Sequence, residues 1–214
     1  MEQTTSVSKQ LTTCRADRRV GAPSGPRNAD LRRANLIETA SKLFMEKGYE
    51  ATTMDEIAAG AGVAKGTLYH YFASKSELLE VLRDGFEDEV MNRVRSRVES
   101  CAADNWRGRL KAWIEAAANA YFDMSNLHDV IFFGAGMPIR SAMAHAEIIQ
   151  YLVKLISDGA KAGAWQVEDE HWTALIMFYS FRGGCDEAIV GAQRAEDVYK
   201  KLFHLFLRML GVHE

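Results

Sequence analysis

The stretch "AAGAGVAKGTLYHYFASK", residues 58–75, decides how the rest of this chain is read. It starts as a helix, breaks at Gly60 and Gly62, and restarts with Lys65, Thr67, Tyr69, His70 and Tyr71 inside about two turns. A helix needed only for packing has no use for so many polar and aromatic groups in so short a space. Two short helices joined by a tight turn, the second rich in such groups, read as a helix-turn-helix. Each position answers a separate steric demand. Ala58 is small where the helices cross, Gly62 supplies the positive φ of the turn, and Ile57, Ala61, Val63 and Leu68 are apolar where the unit packs on a preceding helix.

The second helix of such a unit lies in the major groove, so its outward residues are donors and flat groups that reach bases and phosphates. Thr67 and Tyr69 suit base edges. Lys65, His70, Tyr71 and Lys75 suit phosphates, and main-chain N–H groups near Thr53 and Ser74 add to them. The competing reading makes the aromatics core. Leu68 and Phe72 are assigned to that core, Tyr69 and His70 point outward, and for Tyr71 both assignments stay open.

Working outward, the periodic pattern begins near Asp30. Leu36, Ile37, Ala40, Leu43 and Phe44 share one helical face, and Gly48 ends it. Thr53 followed by Glu56 is a capping box that starts the next helix. Ser74 with Glu77 starts a fourth, whose apolar stripe (Leu78, Leu79, Leu82, Phe86, Val90) carries it to about Ser100. Further helices are expected over 105–124, 127–134, 138–163, 168–191 and 195–210, punctuated by Gly134, Pro138, Gly163 and Gly191. No strand-like alternation of any length occurs. The expected fold is all-α, about nine helices. A disordered basic arm fills 1–29, a helix-turn-helix domain 30–76, and a helical ligand-binding and dimerisation domain 77–214. The arm is either an inert tail or a segment that touches DNA phosphates or the minor groove.

Composition agrees. Only three prolines interrupt 214 residues, and 48% are hydrophobic, enough for a full core. The net charge of -3 argues against a generic nucleic-acid binder, but the charge is uneven: residues 1–75 hold eleven Lys and Arg against eight Asp and Glu. Cys14, Cys101 and Cys185 fit neither a disulfide framework nor a zinc site, which points to a reducing cytoplasm. No apolar run reaches membrane-spanning length, and no apolar segment near the N-terminus marks a secretory signal.

The 28 residues "TTMDEIAAGAGVAKGTLYHYFASKSELL", together with "LFMEKGYEATTM" just before them, resemble the N-terminal signature of TetR/AcrR-family transcriptional regulators. The resemblance covers about residues 31 to 80. It implies an all-α homodimer whose N-terminal domain binds a palindromic operator and whose C-terminal helices hold a small-molecule pocket and a dimer interface. By it, Thr53, Lys65, Gly66, Thr67, Tyr69, His70, Tyr71 and Lys75 map onto DNA-contacting positions. The leader of roughly 30 residues lies outside the family pattern.

The remaining two-thirds matches no motif. Its aromatic and methionine content suits a cavity for an apolar or aromatic effector. Trp113, Tyr121, Met124, Phe133, Met137, His145 and Phe178 are its candidate lining. Trp172, Ile176, Leu202 and Phe206 are candidates for the dimer face, since two helix-turn-helix units are needed to read half-sites a helical turn apart. Catalysis is not expected: there is no Gly-rich phosphate loop, no nucleophile elbow and no metal-ligand spacing among six histidines. No cofactor and no metal are expected. Cys185 reads as a buried thiol or, less readily, a redox sensor. A helical protein-interaction module is the alternative from another class, and a transcriptional activator the alternative within the family.

Overall fold

The computed structural model describes residues 26–134, 146–191 and 194–212. Among them are nine helices and no strand: α1 (Pro26–Lys47), α2 (Met54–Gly60), α3 (Lys65–Tyr71), α4 (Lys75–Glu99), α5 (Trp106–Asp123), α6 (Ser125–Phe132), α7 (Glu147–Lys161), α8 (Glu170–Val190) and α9 (Ala195–Met209).

α1 begins four residues before the expected start near Asp30, within the span assigned to the arm. Its first residue is Pro26, whose fixed φ suits a first helical position and whose missing N–H is no loss there. α6 starts at Ser125 rather than 127, directly after Met124, which ends α5 and accepts the first main-chain bond of α6 from His128 N at 2.9 Å. Met137 and His145, and the arm up to residue 25, lie outside the described residues.

The first three helices close around Leu36, Ala40, Phe44, Ile57, Leu68 and Phe72, all buried. Thr53 caps α2 in a reciprocal box: its Oγ accepts from Glu56 N at 3.3 Å, and its own N–H donates to Glu56 Oε2 at 2.8 Å. At the other end Gly62, with φ of 68°, closes a Schellman turn: Gly62 N donates to Ala59 O and Val63 N to Ala58 O. Asn35 of α1 donates to Ala61 O at 3.0 Å and locks this turn onto the first helix.

Ser74 caps α4, accepting from Glu77 N at 3.2 Å, while Ala73 N donates to Glu77 Oε2 at 2.6 Å. α4 runs on through both halves of the molecule. Leu78 and Leu79 are buried near its start and Val94 and Val98 near its end. Its second half packs along α5, and α7, α8 and α9 complete the larger bundle. α6 reaches back to touch both α1 and α4.

Candidate functional site

α3 is held from behind by Leu68 and closed by Phe72, both buried. With that face spent, Lys65, Gly66, Tyr69 and His70 are exposed, and Thr67 and Tyr71 are half-buried. Tyr69 is 45% exposed despite its size, which for a large aromatic is the informative departure. Tyr71 rests partly against the core, and its ring meets that of His70 edge-on at 5.5 Å.

Gly66 is informative by default. A Cβ built there meets nothing within 4 Å. Nothing inside the chain demands glycine, yet glycine in a helix costs roughly 0.5–1 kcal/mol against alanine. Open space outside α3 is what a close approach by another molecule needs.

The expected cations are differently employed. Lys65 Nζ lies 2.7 Å from Asp55 on α2 and 6.0 Å from the Tyr69 ring centroid. Burial plays no part in raising its pKa; the hydrogen bond and charge of Asp55 do. Lys75, expected at a phosphate, is engaged within the chain. Its ammonium donates to three carbonyls, Tyr49 at 2.7 Å, Glu50 at 3.2 Å and Thr52 at 3.0 Å, and stands 4.3 Å from the Tyr49 ring centroid. An ammonium has three donors, and all are used in closing the loop between α1 and α2. The Thr53 hydroxyl is likewise engaged with Glu56. Lys47 and Thr53 together hold the Glu56 carboxyl down at about 2. Carboxylates thus occupy one main-chain donor at each cap.

In the larger bundle a cavity of about 60 Å³ opens between α4, α5, α6, α7 and α8. Phe86, Val90, Met91, Phe132, Phe178 and Phe181 give it apolar walls. Of the expected lining residues, Tyr121 and Phe178 are present. The other described candidates, Trp113, Met124 and Phe133, are placed elsewhere. Trp113 is fully buried beneath, two turns from Tyr121 on the same face of α5 and covered edge-on by Phe181 at 5.3 Å. Met124 sits at the α5–α6 junction, and Phe133 is exposed past the end of α6.

The cavity also has a polar corner that the sequence pattern does not announce. Buried His128 lies among the rings of Phe86, Tyr121 and Phe132. Its Nε2 is 3.3 Å from Arg182 Nη2, and since a guanidinium only donates, Nε2 accepts. Nδ1 then carries the proton toward Asp129 Oδ1 at 3.3 Å. Tyr121 donates its hydroxyl to Asp186. Burial pushes the His128 imidazole below its ordinary value; Asp129 opposes this and Arg182 reinforces it. His128 and Asp129 are legible as polar residues among apolar ones, and Arg182 as a charge set inside the apolar run "FYSFRGG" at 178–184.

On α8, Trp172, Ile176, Tyr179 and Val190 are exposed, at 61%, 52%, 47% and 87%. Gly183 falls in the same row, with open space where its side chain would stand. From 172 to 183 this row carries no charge, Asp186 follows it, and the row has no cover within the described chain. Leu202 and Phe206 correct the expectation of a dimer face: both are buried, because their side of α9 packs on α5 and α8. Cys185 is buried too, and its thiol is pushed up to about 12 by burial first and Asp186 second, which leaves no reactive thiolate. Among the described residues no cluster of ligands could hold a metal, and no helix is long and apolar enough to cross a membrane.

Two short helices on a third, with an exposed polar and aromatic face on the last, define a helix-turn-helix domain. Residues 36–82 match the family model for bacterial regulatory proteins of the tetR family, which identifies this domain. It is 48% identical over 71 residues to the HTH-type transcriptional repressor KstR2 of Mycobacterium tuberculosis, a match covering 33% of this chain and 36% of that one. It is 42% identical over 87 residues to the HTH-type transcriptional activator FasR of Mycolicibacterium smegmatis, covering 41% and 39%. The chain thus spans little more than a third of the length of these relatives. The whole fold resembles that of the fatty acid degradation regulator FadR from Bacillus halodurans, with a TM-score of 0.69 at 19% identity over 87% of this chain and 97% of that one.

Two outcomes are expected. Gly66→Ala raises stability by about 0.5–1 kcal/mol in urea unfolding, yet weakens DNA binding in a gel shift. For His128, a folded pKa below 6.5 means that the unfolded chain binds more protons between the two values. Its contribution to stability is complete above 6.5 and is lost as pH falls through the lower folded value. The thermal midpoint therefore drops between about pH 7.5 and 5.5, and His128→Gln makes that drop shallower.

Proposed function

We propose that the protein is a ligand-responsive, homodimeric transcriptional repressor that binds a palindromic operator through α3. The observation that carries this reading is the outward face of α3. In a domain of this family, Tyr69 and His70 stand exposed beside an empty surface at Gly66, on a helix whose other side is spent on core. Tyr69 and Thr67 read base edges, with Lys65 and His70 beside them at the backbone. The site of action is the cytoplasm, where the operator lies, and neither a cofactor nor a catalytic step belongs to the mechanism.

The effector is small and apolar or aromatic, and enters among Phe86, Phe132, Phe178 and Phe181. A cavity of about 60 Å³ has room for only a few water-sized groups, so a larger guest must push its walls apart. Phe86 belongs to α4, which starts three residues after Phe72, and Phe132 to α6, which touches α1. A guest favours the state in which these helices have shifted and the two copies of α3 no longer match the operator. It can do so only by its difference in affinity for the two states. The dimer forms by a two-fold pairing of α8. The row at 172, 176, 179 and 183 has the 4-3 spacing of a helix seam, interrupted at Asp186 before Val190, and Gly183 allows close crossing. An activator role is the second reading, supported by the similarity to FasR.

In a gel shift on the intergenic DNA beside its own gene, Tyr69→Ala is expected to lose at least about tenfold in affinity with an unchanged circular dichroism melt. Retained affinity overturns the assignment of α3. Apolar compounds added to the shift are expected to release the DNA. Ile176→Asp places a charge on the α8 row, and sedimentation then shifts from dimer toward monomer; an unchanged dimer removes α8 from the interface.

A further inference from the structure

The cation inventory of the helix-turn-helix domain has a consequence for how the backbone of DNA is held. Lys42 pairs with Glu38 at 2.8 Å, Lys47 with Glu56, and Lys65 with Asp55. Lys75 is spent on three carbonyls. A phosphate that engages Lys65 shares it with Asp55, so its pull on DNA is partly offset. Two described cations of the domain differ. Arg32 and Arg33, near the start of α1, are both exposed and have no ion-pair partner among the described residues.

Their position follows from helical spacing. Arg32, Asn35 and Thr39 form one row along α1. Thr39 meets α2 at Gly60, where a built Cβ would lie 2.9 Å from its methyl, and Asn35 binds Ala61 O in the turn. Arg32 continues that row one turn further, beside the turn that leads into α3. Arg33 continues the buried row of Leu36, Ala40 and Phe44 beyond the core. Its guanidinium carbon lies 5.2 Å from the centroid of Phe72, the residue that closes α3.

We infer that Arg32 and Arg33 are phosphate-binding residues of the DNA interface, one beside the entry to the recognition helix and one beside its end. This rests on the DNA-binding reading above. A guanidinium presents a planar fork of donors that matches phosphate oxygens, and the stacking on Phe72 holds one of them ready. The pair supplies sequence-independent affinity and fixes the register of α3, while α3 itself discriminates bases.

The test is the salt dependence of binding by the full chain, between 50 and 200 mM KCl. The probes are the promoter duplex beside its own gene and a random duplex of equal length. Each phosphate contact contributes about 0.9 to the slope of log K on log salt. Arg32→Gln with Arg33→Gln is expected to flatten the slope by nearly two per bound subunit on both duplexes, while Arg32→Lys with Arg33→Lys keeps it. Lys42→Gln, a paired-cation control, changes it little. If the double variant melts early, Arg32→Gln alone carries the test, with a change of about one. Wild-type binding with an unchanged slope in the glutamine variants overturns this assignment alone. Wild-type protein that binds neither duplex overturns the DNA-binding reading, and the assignment with it.

Discussion

A seven-residue helix does not hold itself together in water, and α3 is seven residues long. Isolated helices below about 12 residues are marginal even with the best residues, and α3 has a glycine and two tyrosines. It exists because Leu68 and Phe72 are buried against α1 and α2. That dependence divides the helix. One side belongs to the core, and what remains is free to be chosen for what it touches outside. The Schellman turn at Gly62 and the bond from Asn35 to Ala61 set its angle. The capping box at Thr53 and the ammonium of Lys75 hold the flanking loop still.

The same economy governs the link to the rest of the molecule. α4 is 25 residues, about 37 Å of continuous helix, with one end in the core of the first domain and its middle lining the cavity. α6 touches α1 as well as α4. Two walls of the cavity, α4 and α6, also touch α1, which ties the cavity to the first domain. The polar corner of His128, Arg182, Tyr121 and Asp186 sits inside this joint. Its bonds are directional and partly buried, so it favours discrete arrangements over gradual deformation.

Much of this architecture is legible in the order of residues alone. Apart from α7, which starts at Glu147 against an expected 138, the helix bounds follow to within a few residues from the periodicity and from caps that carry their own chemistry: Thr53 with Glu56, Ser74 with Glu77, Gly62 and Gly163. The expected start of α1 falls late because apolar spacing is silent in "PRNADLRR", where Pro26 rather than any periodic residue marks the beginning. The exposure of Tyr69 and His70 is legible from the phase of Leu68 and Phe72, and that of Trp172 and Ile176 from the excess of apolar residues on α8.

What the chain's order of residues determined by itself was local: which segments are helical, where each stops, and which short helix could face outward. Its family signature added the kind of domain. What only the tertiary structure decided was which apolar stripe meets which, and which charge meets which. Leu202 and Phe206 are as apolar as Ile176, and only the packing of α9 on α5 and α8 makes them core. Lys75 and Arg33 are both cations near α3, but one is consumed by carbonyls 23 to 26 residues away and the other by none. Helix formation is a matter of neighbours along the chain, while burial and pairing depend on partners that the fold alone brings together.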